Sequence, residues 1–167
     1  MKIINMKSIT PCLWFSNEAE EAANFYVSVF KDGKIGKTMR HDESSAKASG
    51  QPAGSVVTVE FEIMGQKFMG LNGGPIFKFS EVVSFVIDCK DQAEIDYYWD
   101  TLIADGGAES QCGWLKDKYG LSWQVVPTFL DGLLTDPDPV KAGRAMKAML
   151  EMKKLDVQAL QNAYDGV

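Results

Sequence analysis

Apolar and polar residues along the chain follow one succession of periods, and that succession runs twice. Residues 9–15 are an apolar run of strand length. Asn17 and Glu20 then have the spacing of a capping box. Ala19, Ala22, Ala23, Tyr26, Val29 and Phe30 recur at steps of three and one, which lines one face of a helix that Gly33 ends. Residues 34–41 suit a strand, whereas 42–54, rich in Ser, Ala, Gly, Gln and Pro, read as an exposed, mobile loop. Residues 55–64 alternate, with Val57, Val59, Phe61 and Ile63 against Thr58, Glu60 and Glu62. Gly65-Gln66 reverses the chain, and residues 67–72 return as a second strand.

The order then repeats without repeating residue identities. Residues 81–89 form a strand, Asp91 and Glu94 bracket a helix start, and Ile95, Tyr98, Trp99, Leu102 and Ile103 step by three and one before Gly106-Gly107. Residues 111–127 read as a hairpin that turns through Asp117-Lys118-Tyr119-Gly120, with Trp114 and Trp123 on either side. On its second arm the period of two sets Ser122, Gln124 and Val126 on one face and Leu121, Trp123 and Val125 on the other. Asn72-Gly73-Gly74-Pro75 makes a seam between the halves. The expectation is an α+β domain over residues 1–127, built of two modules, about 1–74 and 75–127. Residues 128–167 follow as a helical extension, with a long helix over 140–155 and a last one capped by Asp156. Its apolar residues Met146, Met149, Leu150 and Met152 suit packing on the domain or on a second subunit.

Composition narrows the function more than it narrows the fold. At 167 residues and 46% hydrophobic content the chain can bury a core, and no apolar run approaches the roughly 18 residues of a membrane span. A net charge of −6 argues against nucleic acid and anionic membrane as partners. Residues 1–7 are too short and interrupted for a secretory signal, so the cytoplasm is expected. Cys12, Cys89 and Cys112 are odd in number and form no Cys-x-x-Cys pair, which fits reduced thiols in a core. His41 is the lone histidine, at the edge of the loop, so no Ser-His-Asp or Cys-His set can be assembled away from it. Gly33 and Gly36 lack a third member, and Gly73-Gly74 runs into Pro75, so no phosphate loop is present.

What remains is a cavity lined by strands. Two modules with half-buried, curved sheets leave a concave space, and the polar and aromatic strand residues are candidates for its lining. These are Cys12, Trp14, Glu60, Phe61, Met69, Asn72, Ser84, Trp114, Ser122 and Gln124, to within one residue of register.

Residues 9–15 (Ile-Thr-Pro-Cys-Leu-Trp-Phe), the helix around Glu20 to Tyr26, Gly73-Gly74-Pro75 with Phe77-Lys78-Phe79, and above all residues 111–124 carry a resemblance. The chain resembles the vicinal oxygen chelate superfamily, the glyoxalase and bleomycin-resistance fold of paired βαβββ modules. More narrowly it is similar to the PhnB-like branch, often labelled 3-demethylubiquinone-9 3-methyltransferase. The resemblance implies a homodimer and a small-molecule ligand. It also implies that metal-using relatives place their ligands at positions falling here near Pro11, Asn72, Val82 or Ser84, and Gln124, none of which is His, Asp or Glu. The expectation is therefore a protein without a metal or other cofactor that binds a small organic molecule. Two alternatives stand beside it: an enzyme on a small organic substrate, such as the methyltransferase of the label, and an interaction module using the C-terminal helix. The chain lacks the glycine-rich strand-to-helix turn of the common methyl-donor-binding folds.

Overall fold

The computed structural model describes residues 9–167; the segment 1–7, read above for a targeting signal, lies outside the described residues. The chain divides into two compact units, 1–78 and 79–167. In the first unit β1 (Cys12–Phe15) leads to α1 (Ala19–Val29), then β2 (Lys34–Arg40), α2 (Glu43–Ser49), β3 (Val56–Ile63) and β4 (Gln66–Asn72). The sheet order is β1-β4-β3-β2, with β1 parallel to β4 and the other pairs antiparallel. One face of this sheet is closed by α1. Leu13 and Phe15, Val59, Phe61 and Ile63, and Phe68 and Gly70 are buried there, against Ala19, Ala22, Ala23, Tyr26 and Val29.

In the second unit β5 (Ser84–Cys89), α3 (Gln92–Ile103), β6 (Ala108–Glu109), β7 (Trp114–Lys116) and β8 (Ser122–Pro127) repeat that topology as β5-β8-β7-β6, again with one parallel pair. Ile87, Cys89, Leu115, Trp123 and Val125 are buried toward Ile95, Trp99 and Leu102 of α3. Three further helices, α4 (Leu130–Leu134), α5 (Pro139–Leu150) and α6 (Val157–Asp165), complete this unit around a cluster of Leu130, Leu133, Ala145, Leu155 and Leu160. The fold is α+β, two four-stranded mixed sheets with helices on one face of each.

The two helix starts are built differently. Asp91 accepts from the Glu94 amide at 3.0 Å, and the Glu94 carboxylate accepts from the Lys90 amide, so α3 is capped from its own sequence. At α1 no side chain of the helix start makes a cap bond. Asn72, at the end of β4, supplies it instead: its Oδ1 accepts from the Ala19 amide at 2.9 Å, and its Nδ2 donates to the Val56 carbonyl. The Asn17 and Glu20 spacing does not act as a capping box: the Asn17 amide donates to the Glu18 carboxylate, Glu20 pairs with Arg40, and Asn72, 53 residues on, takes the Ala19 amide.

Three other expectations shift. Within the segment read as a loop, residues 43–49 are the helix α2, capped by Asp42 and ended by left-handed Gly50. It buries no residue, so it carries none of the periodicity by which the other helices are recognised. The long helix over 140–155 stops at Leu150, and residues 151–156 run as a connection that brings Leu155 into the cluster. Met149 and Met152 pack on that cluster, while Met146 and Leu150 remain exposed. Of the three cysteines only Cys89 is buried; Cys12 is exposed.

Candidate functional site

The register places the open face of each sheet in rows. Phe15 pairs with Asn72 and Cys89 with Pro127, and in both modules the next amide, Gly73 or Thr128, bonds back to the first strand, at 2.9 Å in each case. Counting back from these equivalent ends, Met69 corresponds to Gln124, Lys67 to Ser122, Glu60 to Trp114, Glu62 to Lys116 and Lys34 to Ala108. Each open face carries a cleft, and the two clefts occupy equivalent rows. The first, of about 460 Å³, is lined by Thr10, Lys34, Glu60, Glu62, Lys67 and Met69 among others. The second, of about 170 Å³, is lined by Glu81, Ala108, Trp114, Lys116 and Ser122 among others.

The second cleft has the more selective chemistry. Ser122 is 0% exposed, and its Oγ has no hydrogen-bond partner among the described residues. A buried hydroxyl left without a partner costs roughly 1–3 kcal/mol. It is flanked on the same face by its direct cross-strand neighbours Ser84 and Lys116. In the next row Gln124 donates from Nε2 to Ser84 Oγ at 2.9 Å, and the Trp114 ring stands beside it, opposite across the β7–β8 ladder. Lys116 pairs with Glu81, whose carboxyl is held below its usual range by that hydrogen bond. Both partners are substantially exposed, so the pair opens at little cost.

The turn that presents this face is fixed by the side chain of its first residue, to which the sequence assigned only a place in the turn. Asp117 is 2% exposed and saturated: Oδ1 accepts from the Tyr119 and Leu121 amides, and Oδ2 from the Trp123 indole at 2.9 Å. Gly120 supplies the left-handed residue, at φ 85°. Asp117 thus locks the hairpin and anchors Trp123 beneath Ser122 and Gln124. An Asp opening a turn that closes on Gly120, with a tryptophan just beyond, was the signal the sequence offered.

The candidates of the first module fall in three places. Cys12, Met69 and Glu60 share one row of the open face. Trp14 is on the same face, but its indole donates to the Gly74 carbonyl at 2.8 Å and its ring lies edge-on to Phe77. It covers Gly73, where a Cβ would meet the ring at 2.1 Å. Phe61 is 2% exposed and stacks between Tyr26 and Phe68 on the helix side, one residue off the face carrying Glu60 and Glu62. Asn72 has both amide atoms engaged, Oδ1 with the start of α1 and Nδ2 with the Val56 carbonyl of β3. In the second module Ser84, Trp114, Ser122 and Gln124 are together on one face.

The places at which metal-using relatives bind a cation do not fit one here. Pro11 has no side-chain donor, Asn72 is occupied, and Ser84 and Gln124 are neutral groups bonded to each other. By register Asn72 corresponds to Pro127 and not to Gln124. Among the described residues no three His, Cys, Asp or Glu side chains converge as metal ligands. Cys89 is buried, and burial, followed by the charges of Glu94, Asp88 and Asp91, pushes its thiol up to about 12, away from the thiolate.

Comparison with curated proteins finds no match. Among solved structures, the PhnB protein from Bacillus cereus shares 34% identity over 72% of this chain and 99% of its own, with a TM-score of 0.64. A protein from Pseudomonas aeruginosa shares the fold at 17% identity, covering 73% of this chain and 98% of its own with a TM-score of 0.57. A family model described as 3-demethylubiquinone-9 3-methyltransferase matches residues 7–126, which takes in both βαβββ modules and stops just before the helical extension. The chain belongs to that family, the PhnB-like branch of the vicinal oxygen chelate superfamily.

Proposed function

We propose that this chain binds a small organic molecule at the open face of its second module, without a metal ion. Ser122 and Gln124 serve as the hydrogen-bonding groups and Trp114 as the apolar wall. The observation that carries this reading is the buried, unpartnered Ser122 hydroxyl, since a fold that only needed stability would hold Ala there more cheaply. Access comes by opening the exposed Lys116 and Glu81 pair above it. A cleft of about 170 Å³ is smaller than the roughly 300–1,000 Å³ of a site for a drug-sized ligand, so it receives one end of a molecule. Reduced thiols and the charge of −6 suit a cytoplasmic protein, and a homodimer is part of the same reading. No described helix is long and apolar enough to cross a membrane.

A ligand-observed NMR screen of planar polar fragments tests the site. Saturable binding that weakens about tenfold in Ser122→Ala supports it, that being the order expected for one lost hydrogen bond. Equal binding by both proteins, or stoichiometric zinc, nickel, manganese or iron in the purified protein, overturns it. The family description favours a second reading, methyl transfer. It requires saturable binding of S-adenosylmethionine, and calorimetry without heat at millimolar donor removes it.

A further inference from the structure

A different cleft opens in the first module where its strands end, with a volume of about 520 Å³ and no lining residue in common with the clefts on the open faces. Two consecutive residues, Arg40 and His41, both line it. β2 ends at Arg40, so the alternation of a regular strand does not extend to His41; across from Arg40 the ladder slips, Met39 pairing with Thr58 and Arg40 with Val56, which leaves Val57 of β3 as the extra residue of a bulge. The bulge re-aims the side chains of its own strand, and the consecutive Val56 and Val57 both line the cleft. His41 follows directly, fixed by its amide to the Ser55 carbonyl and by its own carbonyl to the Gly54 amide.

Two polar groups in this cleft are poised for a ligand. The Nδ1 of His41 is buried and has no hydrogen-bond partner among the described residues. The Arg40 guanidinium donates to the Gly54 carbonyl and pairs with Glu20, yet both charged side chains are nearly half exposed, at 47% and 41%. Such a pair contributes little, so an external carboxylate exchanges with Glu20 at small cost. Beyond these, the walls offer neutral hydroxyls and amides, from Ser16, Asn17 and Gln51. The volume suits a whole small molecule.

We infer that this cleft binds a small hydroxycarboxylate, its carboxylate on Arg40 in place of Glu20 and its hydroxyl donating to His41 Nδ1. The inference stands apart from the second-module site, and a failure of either leaves the other intact. The test is a titration of the ¹⁵N-labelled full chain with lactate, following the Gly54, Gly73 and Gly74 amides and the His41 ring. Propionate, which lacks the hydroxyl, and propane-1,2-diol, which lacks the carboxylate, serve as controls. Lactate is expected to shift these signals saturably, propionate to bind about tenfold more weakly, and the diol to leave them unmoved. Arg40→Gln should weaken lactate at least tenfold with the remaining spectrum unchanged, and Glu20→Gln should tighten it several-fold by removing the competitor. No saturable shift with lactate, equal affinity for propionate, or equal affinity in Arg40→Gln would overturn the inference. Weaker binding in Glu20→Gln would do so too, and that variant keeps the test decisive if Arg40→Gln fails to fold.

Discussion

The two modules share a topology and a register, yet equivalent positions on their open faces have nothing chemically in common. Lys34, Glu62 and Lys67 make a charged row in the first, with Lys34 and Glu62 paired at 2.9 Å; Ala108, Lys116 and Ser122 stand in the same places in the second. On the helix side the positions stay buried, and several keep their kind, Leu13 with Ile87 and Phe68 with Trp123. Topology is held by the helix-side rows, where burial penalises change, and the open rows are free to take up different chemistry.

The turns differ as well. Met64 and Gly65 close the first hairpin with φ of 48° and 74°, the two positive values of the tight reversal whose twist matches the strands. The second is held by the Asp117 carboxylate. Asp117→Ala should therefore have the largest effect, about 3 kcal/mol or more from two backbone amides and an indole left unpaired, read as a lower denaturant midpoint. A cost below about 1 kcal/mol would mean the second hairpin is as self-sufficient as the first. The helix starts give the next contrast. Asn72→Ala should cost roughly 2 kcal/mol because it frees both the Ala19 amide and the Val56 carbonyl, whereas Asp91→Ala should cost about 1, the usual value of a local cap. Equal losses would erase the distinction between a long-range and a local cap.

Acid should separate the modules further. In the second module the Gln92 amide and then Lys154 lower Asp96, the Trp99 indole and then Lys153 lower Glu109, and the Tyr164 hydroxyl and then the Asp138 amide lower Asp136. Folded values below the unfolded ones mean stability that is fully present above the ordinary carboxylate range and lost as pH falls through the depressed values. The window therefore lies below about pH 4. These carboxylates bond residues of the C-terminal extension or the helices it covers, so amide exchange over 151–165 should accelerate on acidification before exchange in β3 and β4. The effect is modest, because the groups are solvent-exposed. Simultaneous loss of protection would show that the extension is held by its apolar cluster alone.

How much of this could be read from the chain follows from where each signal resides. The duplicated order, the hairpin and the split of Ser122 and Gln124 from Trp123 and Val125 were legible because periods of two and of three to four survive any tertiary context. The role of Asn72 was not, since a cap from a strand end 53 residues away leaves no local spacing to find. α2 escaped because a helix with no buried face has no apolar period. Phe61 packs on the helix side and also lines the first cleft, a double placement that the period of two does not reveal. The candidate residues could be named from the chain as polar strand residues, but the isolation of Ser122 depends on how Ser84 bonds Gln124 and on the Lys116 neighbour, which only the register reveals.

The smallest change to the fold bears most directly on the central claim, that the second open face is kept for a ligand. Ser122→Ala removes a buried hydroxyl that bonds nothing among the described residues, and its unfolding free energy, by denaturant titration of the unliganded protein, should exceed the wild-type value by about 1 kcal/mol or more. A loss of 1 kcal/mol or more would mean the hydroxyl serves the fold, and the claim would fall.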